Sequence, residues 1–283
     1  AAAEALPWER LEGKNILIAG ATGLIGSCLV DILMSRVTAS YKVFASGRNA
    51  VRAHERFAQY SASPRFHFLQ HDVCQPLSCD ETFHYIVHAA SGAGPASFAN
   101  TPVEVVKANI LGVSNLMDYG LSHGMERMLY VSTGEIYGEG GATVATEAGM
   151  AFGEHDSGYV DCATQRACYP SSKRAAETLC MAYRGEYGAD VVIARPCHVY
   201  GPNFTESDNR VFAQFARSAM NGEDIVLHTK GLSEGNYCYT RDAVLGLFTI
   251  LLEGENGEAY NVANPDSHTT IADMAQMVCE KIG

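Results

Sequence analysis

The sequence predicts an α/β protein: a doubly wound parallel sheet followed by a smaller C-terminal lobe. Two observations lead there. Short apolar runs alternate with helix-periodic stretches from residue 14 to residue 202, the rhythm of parallel βα units. The alternation then breaks, and helical stretches with little strand pattern follow. Residues 1–202 therefore read as one doubly wound domain, to which a segment near 236–262 returns. Residues 203–283 read as a smaller substrate-binding lobe, whose last helical pattern, from Ile271, is still running at Gly283.

The first apolar run, residues 14–19, has the character of a buried strand and leads into Gly20-x-x-Gly23-x-x-Gly26 and a helical stretch over 27–35. In that context Gly20 and Gly23 let the backbone turn tightly against a pyrophosphate, while Gly26 lets the helix pack on the strand. An ordinary glycine-rich β–α turn is the competing reading of this spacing. The second strand, 41–46, ends before Arg48. An acidic residue in this region would hold the ribose of NAD, whereas Arg48 suits the 2′-phosphate of NADP or faces solvent. A third strand ends at Asp72-Val73, where Asp72 is placed to meet an adenine amine.

Residues 85–90 form a fourth strand, carrying His88 and opening into a small-residue loop with Ala89, Ala90 and Ser91. His88 reads as a satisfied core histidine. A helix from Thr101 carries Asn109, whose expected role is to bridge two loops. A fifth strand, 128–131, ends in Ser132-Thr133-Gly134-Glu135, polar groups at the carboxyl end of a strand, where ligands bind in open α/β sheets; helix capping is the alternative for Ser132 and Thr133. Residues 140–160 read as loop, and 191–196 as a sixth strand ending in Pro196 before His198. Residues 208–215 read as helix and 224–228 as a short strand.

Between these lies the pair of greatest chemical interest. From Ser171 onward the pattern is helical, with Pro170 tolerated in the first turn. Tyr169 then sits at the helix mouth with Lys173 four residues on, along the same face. A cation beside a phenol favours phenolate, so this spacing predicts a Tyr169 pKa moved towards neutrality and a role as base. An isolated Tyr–Lys pair on a surface is the plainer reading, and the other motifs decide against it.

The chain has 283 residues, a net charge of −12 and nine cysteines. The length can bury a full core. The acidic balance, without a basic stretch, argues against nucleic acid or anionic membrane as partner. No apolar run approaches the roughly 18 residues of a membrane span. Residues 1–8 lack the basic flank and apolar core of a signal peptide. An odd number of scattered cysteines, without paired zinc-type spacing, predicts reduced thiols, no metal and a cytoplasmic location.

Taken in order, Gly20-x-x-Gly23-x-x-Gly26, Asp72-Val73, His88-Ala-Ala, Ser132-Thr133…Tyr137-Gly138, Tyr169-x-x-x-Lys173 and Arg195-Pro196…Tyr200-Gly201-Pro202 resemble the extended short-chain dehydrogenase/reductases, the nucleotide-sugar epimerases, dehydratases and decarboxylases. The resemblance spans Ile16 to Asn261. It implies a Rossmann-type fold, bound NAD (or NADP, through Arg48), a nucleotide-sugar substrate and a homodimer. Thr133, Glu135, Tyr169 and Lys173 would be catalytic. The cofactor would meet Gly20, Gly23, Leu24, Ile25, Gly26, Arg48, Asp72, Val73, Ala89, Ala90, Ser91, Tyr169, Lys173 and Pro196. The substrate would meet Ser91, Thr133, Glu135, His198 and Arg210.

Within that family Ser132-Thr133-Gly134-Glu135-Ile136-Tyr137-Gly138 is similar to the pattern of UDP-glucuronate decarboxylases, and so is Arg166-Ala-Cys-Tyr169. A 4,6-dehydratase would carry an Asp–Glu pair, and Gly134 stands where the Asp would be. The sequence departs from the family at Gly235, where an arginine is usual, and at His198, where an asparagine is; either Lys230, Arg210 or His198 replaces the missing guanidinium, or the substrate differs from UDP-glucuronate. The expectation is a decarboxylase working through a 4-keto sugar. The alternatives are a 4,6-dehydratase or 4-epimerase, and a non-catalytic NAD(P)-binding sensor.

Overall fold

The computed structural model describes residues 6–146, 149–202, 204 and 208–282. In chain order its strands are β1 (Asn15–Ala19), β2 (Lys42–Gly47), β3 (Phe66–Gln70), β4 (Tyr85–His88), β5 (Arg127–Val131), β6 (Val144–Thr146), β7 (Gly149–Ala151), β8 (Val191–Pro196), β9 (His198–Tyr200), β10 (Glu234–Gly235), β11 (Tyr237–Tyr239), β12 (Ala259–Val262) and β13 (Thr269–Thr270). The helices are α1 (Leu24–Ser35), α2 (Ala50–Arg56), α3 (Pro95–Asn100), α4 (Pro102–Ser122), α5 (Cys168–Tyr187), α6 (Val211–Asn221), α7 (Thr240–Glu253) and α8 (Ile271–Ile282).

Seven strands form one sheet in the order β12-β8-β5-β4-β1-β2-β3, and every pairing in it is parallel. Because β1 has β2 on one side and β4 on the other, the winding direction reverses there, and a crevice opens beyond the carboxyl ends of β1 and β4. Strand alternation explains why both faces are covered. Ile16 and Ile18 of β1 join a core completed by Leu29, Val30 and Leu33 of α1 and by Val244, Leu247 and Phe248 of α7. Leu17 and Ala19 point the other way, into a core with Val113, Leu116 and Met117 of α4 and Ala176 and Cys180 of α5.

The last strand of the sheet, β12, lies beside β8. A buried polar network ties this edge together. Arg195 on β8 holds Glu177 of α5 through two bonds, of 2.6 and 3.1 Å, and donates to the Tyr137 hydroxyl at 3.1 Å. Tyr137 in turn donates to Asn261 of β12 at 2.7 Å. Asn109 differs from expectation. It bridges two helices rather than two loops, donating from α4 to Ser172 of α5 at 2.8 Å, because both residues lie on the packed faces of those helices.

Past β8 the architecture changes. β9 pairs in parallel with β11, β10 pairs antiparallel with β13, and α6 packs against α8. Two expectations fail here and nearby. Residues 224–228 are irregular rather than a strand: Val226 and Leu227 are exposed, and no strand among the described residues pairs with them. The stretch 140–160, read as loop, contains the antiparallel ribbon β6–β7 and a bridge between Glu139 and Tyr159.

Candidate functional site

The crevice above β1 is built by close backbone approach. Gly20 has φ +82°, and a Cβ there would lie 2.7 Å from the backbone of Ala89 and Ala90. A Cβ on Gly26 would fall 2.2 Å from the Gly20 carbonyl oxygen, so α1 can reach β1 only without one. Gly23 is different. It stands at the N-terminal cap of α1 with φ −79° and ψ 173°, ordinary extended backbone, so the tight turn belongs to Gly20 alone. No side chain caps α1, which leaves the first-turn amides of Leu24, Ile25 and Gly26 facing the crevice for an anion.

Around this cradle, the buried hydroxyls of Ser46, Ser91 and Ser132 carry no partner. A glycine cradle, an uncapped helix and unpartnered hydroxyls fit a dinucleotide. Arg48 follows β2 on the surface, its guanidinium 3.3 Å from Glu104. Asp72 accepts from the Cys74 amide at 3.0 Å, and the Val73 carbonyl accepts from Asn115 at 2.8 Å. His88 is enclosed beneath the crevice, where burial lowers its pKa to about 3 and keeps it neutral.

The second wall rises from the end of β5 and the start of α5. Thr133 is buried, and its hydroxyl accepts from the Glu135 amide at 3.2 Å, capping the turn Gly134–Tyr137. The capping alternative for Thr133 is therefore what the structure displays. The Glu135 carboxylate accepts from Arg166 at 2.6 Å. The Arg166 guanidinium lies 4.6 Å from the centre of the Phe98 ring, and that ring stacks on Tyr169 at 4.9 Å. α5 begins at Cys168, preceded by a 3-10 turn, and Pro170 is its third residue, within the first turn as expected.

The expected electrostatics of Tyr169 are reversed here. Burial raises its phenol above the ordinary value, and the Thr133 hydrogen bond only offsets this. Lys173 does not offset it: its ammonium lies 5.8 Å from the centre of the Tyr169 ring but directs its hydrogen bond elsewhere. It donates to the Val131 carbonyl at 2.7 Å and lies over the Tyr130 ring at 4.7 Å. Burial lowers the Lys173 pKa to about 7, with Glu177 acting in the opposite direction.

His198, exposed and tilted against Tyr237 at 5.2 Å, follows Cys197, whose Cα lies 4.0 Å from where a Gly134 Cβ would be. Arg210 is bound by both carboxylate oxygens of Asp208 and donates to the Val199 carbonyl at 3.3 Å. Lys230 is exposed on the irregular segment. Pro196 ends β8, its carbonyl 3.8 Å from where a Gly134 Cβ would be. Asp208, Phe98 and Tyr237 were not legible as site residues. Arg166 carried a resemblance but no partner, since its carboxylate is 31 positions away. Among the described residues no cluster of three or more His, Cys, Asp or Glu is placed to hold a metal, no helix is long and apolar enough to cross a membrane, and all nine thiols are unpaired.

The NAD dependent epimerase/dehydratase family matches residues 16–263. The chain belongs to that family. Its cofactor is therefore NAD, and the chain is an NAD-dependent enzyme of the epimerase/dehydratase type. The UDP-glucuronic acid decarboxylase 6 of Arabidopsis thaliana is 32% identical over 268 residues, covering 95% of this chain and 74% of that protein. In fold the chain is similar to the UDP-glucose 4-epimerase of Thermotoga maritima (TM-score 0.75, 22% identity, 94% of this chain and 82% of that one). It is likewise similar to a dTDP-glucose 4,6-dehydratase of Streptomyces venezuelae solved with NAD (TM-score 0.75, 21% identity, 94% and 80%).

Proposed function

We propose that this member of the epimerase/dehydratase family is a decarboxylase of UDP-glucuronate or a closely related nucleotide uronate. The observation that carries the reading is one carboxylate in the catalytic wall. Glu135 stands beside Thr133 and Tyr169, with Gly134 where a dehydratase would need an acid. The similarity to decarboxylases at about a third identity supports it.

In this reading Tyr169 takes the proton from the sugar 4-hydroxyl, and Thr133 holds the same oxygen. Bound NAD would supply reversible hydride acceptance at the sugar carbon, so the cycle would need no outside reductant. Once C4 is a ketone, the uronate is a β-keto acid. Its carboxyl carbon–carbon bond breaks, CO2 leaves, and the bonding pair remains as an enolate. Glu135, held by Arg166, manages the proton that this carbon then takes up. Lys173 would hold the ribose end of the cofactor and, together with the positive charge of the bound nicotinamide, would favour the phenolate that burial alone opposes. Gly20, Gly23, Leu24, Ile25 and Gly26 receive the pyrophosphate, Asp72 and Val73 the adenine, and Ala89, Ala90, Ser91 and Pro196 the remainder. The Arg48–Glu104 pair favours NAD, since a 2′-phosphate would have to displace Glu104. Residues 203–283, apart from the returning segment, act as the substrate lobe, with Ser91, His198 and Arg210 at its boundary. A cytoplasmic homodimer pairing through α4 and α5 completes the proposal.

The test is product analysis by mass spectrometry with UDP-glucuronate, dTDP-glucose and UDP-glucose. A UDP-pentose with release of CO2 is expected. A 4-keto-6-deoxy sugar from dTDP-glucose overturns the reading in favour of a dehydratase, UDP-galactose in favour of an epimerase, and bound NAD without turnover in favour of a sensor.

A further inference from the structure

Gly235 and His198 lie side by side in the fold. His198 and Tyr237 are register partners in the parallel pair β9–β11, and Gly235 lies two residues earlier on β10. A Cβ built on Gly235 would lie 2.9 Å from Cδ2 and 3.2 Å from Nε2 of His198. The Gly235 backbone is not left-handed, so chain geometry does not demand glycine here. What excludes a side chain is the imidazole itself, with Tyr237 the next neighbour at 3.9 Å.

The seated ring faces the site. His198 is exposed, and Cys197 just before it lies 4.0 Å from where a Gly134 Cβ would be, beside the turn that carries Glu135, whose carboxylate acts on both Tyr169 and His198. Burial lowers the imidazole pKa, Glu135 raises it and Arg210 lowers it, so the ring at neutral pH is a neutral donor and acceptor. β10 is paired to β13, just before α8, whereas β9 follows the last residue of β8 after a single position. The contact therefore joins the end of the large sheet to the C-terminal elements.

We propose that Gly235 is a positioning residue for His198, and that His198, so seated, selects the nucleotide sugar by a hydrogen bond across this junction. The inference rests on the substrate reading above for the identity of the ligand, but the seating does not. Its test is a double-mutant cycle on the NAD-loaded protein, using Gly235→Ala, His198→Ala and the pair. UDP-glucuronate affinity is read by calorimetry, turnover gives KM and kcat separately, and the His198 ring resonance is followed by NMR without sugar nucleotide. Gly235→Ala is expected to move the His198 resonance and weaken UDP-glucuronate binding by about tenfold, chiefly in KM, with melting temperature and NAD affinity unchanged. In the His198→Ala background, Gly235→Ala should add less than about twofold. An unmoved resonance overturns the seating, and fully additive losses overturn the coupling. Intact affinity in His198→Ala overturns the selection role. If UDP-glucuronate fails to bind the unaltered protein, the substrate reading falls, and the selection role falls with it.

Discussion

Lys173 and Tyr169 are both enclosed by protein, and each is pushed towards its neutral form. For Lys173 this has a consequence in the cofactor-free protein. The unfolded chain keeps the ammonium up to about 10.5, while the folded chain releases it near 7, so between those values the unfolded state binds more protons. Stability therefore rises with pH across that window, is fully present above it and is lost as pH falls through about 7. The raised Tyr169 pKa works the other way, but only above its ordinary value of 10.0. Urea unfolding at about pH 7 and about pH 9.5 should show a smaller gain in Lys173→Met than in the unaltered protein; parallel curves would reject the burial argument. Tyr169→Phe should lose roughly 10²–10⁴-fold in kcat while NAD and UDP-glucuronate still bind, as measured by steady-state kinetics and calorimetry. Activity retained within a few-fold would mean that another group is the base.

At the scale of elements, the β1–α1 unit is set by one contact more than by the glycine pattern as a whole. The strand and helix approach so closely that the Gly20 carbonyl occupies the space of a Gly26 Cβ. Gly26→Ala should therefore cost about 1–3 kcal/mol of stability by forcing the helix outward, and should weaken NAD binding with it. Gly23→Ala, whose Cβ would meet that same carbonyl at 3.4 Å, an ordinary contact, should be tolerated. Thermal unfolding and an NAD titration of the two variants side by side check this; equal losses would show that the spacing, rather than the contact, is what counts.

At the scale of the whole molecule, α4 and α5 cover one face of the sheet and keep apolar side chains outward. Val103 is 63% and Leu111 40% exposed on α4. The proposed homodimer would bury that face, so Leu111→Arg should then halve the mass seen by sedimentation while the monomer keeps its melting temperature within a few degrees. An unchanged mass would place the partner surface elsewhere. The junction between sheet and C-terminal elements belongs to this scale too, since Arg195, Tyr137 and Asn261 couple β8, the Gly134–Tyr137 turn and β12 through a single chain of bonds.

The sequence by itself determined the sheet and the order of its parts. Buried parallel strands must be short apolar runs, and a helix packed on such a strand must show its period and its glycine, so both leave local patterns. It also pointed to Tyr169 and Lys173 through their spacing on one helix turn, and to Thr133 and Glu135 through a family resemblance at the end of a strand. Only the tertiary structure decided what each of them touches. The direction of the Tyr169 shift depends on burial and on where the Lys173 ammonium turns, and neither is a property of four-residue spacing. Arg166 on Glu135, Asp208 on Arg210 and Gly235 beneath His198 are contacts made by side chains whose orientation follows from folding. Spacing along a chain sets the distance between backbones, while charge and contact at a site are set by which side chains the closed fold leaves room for.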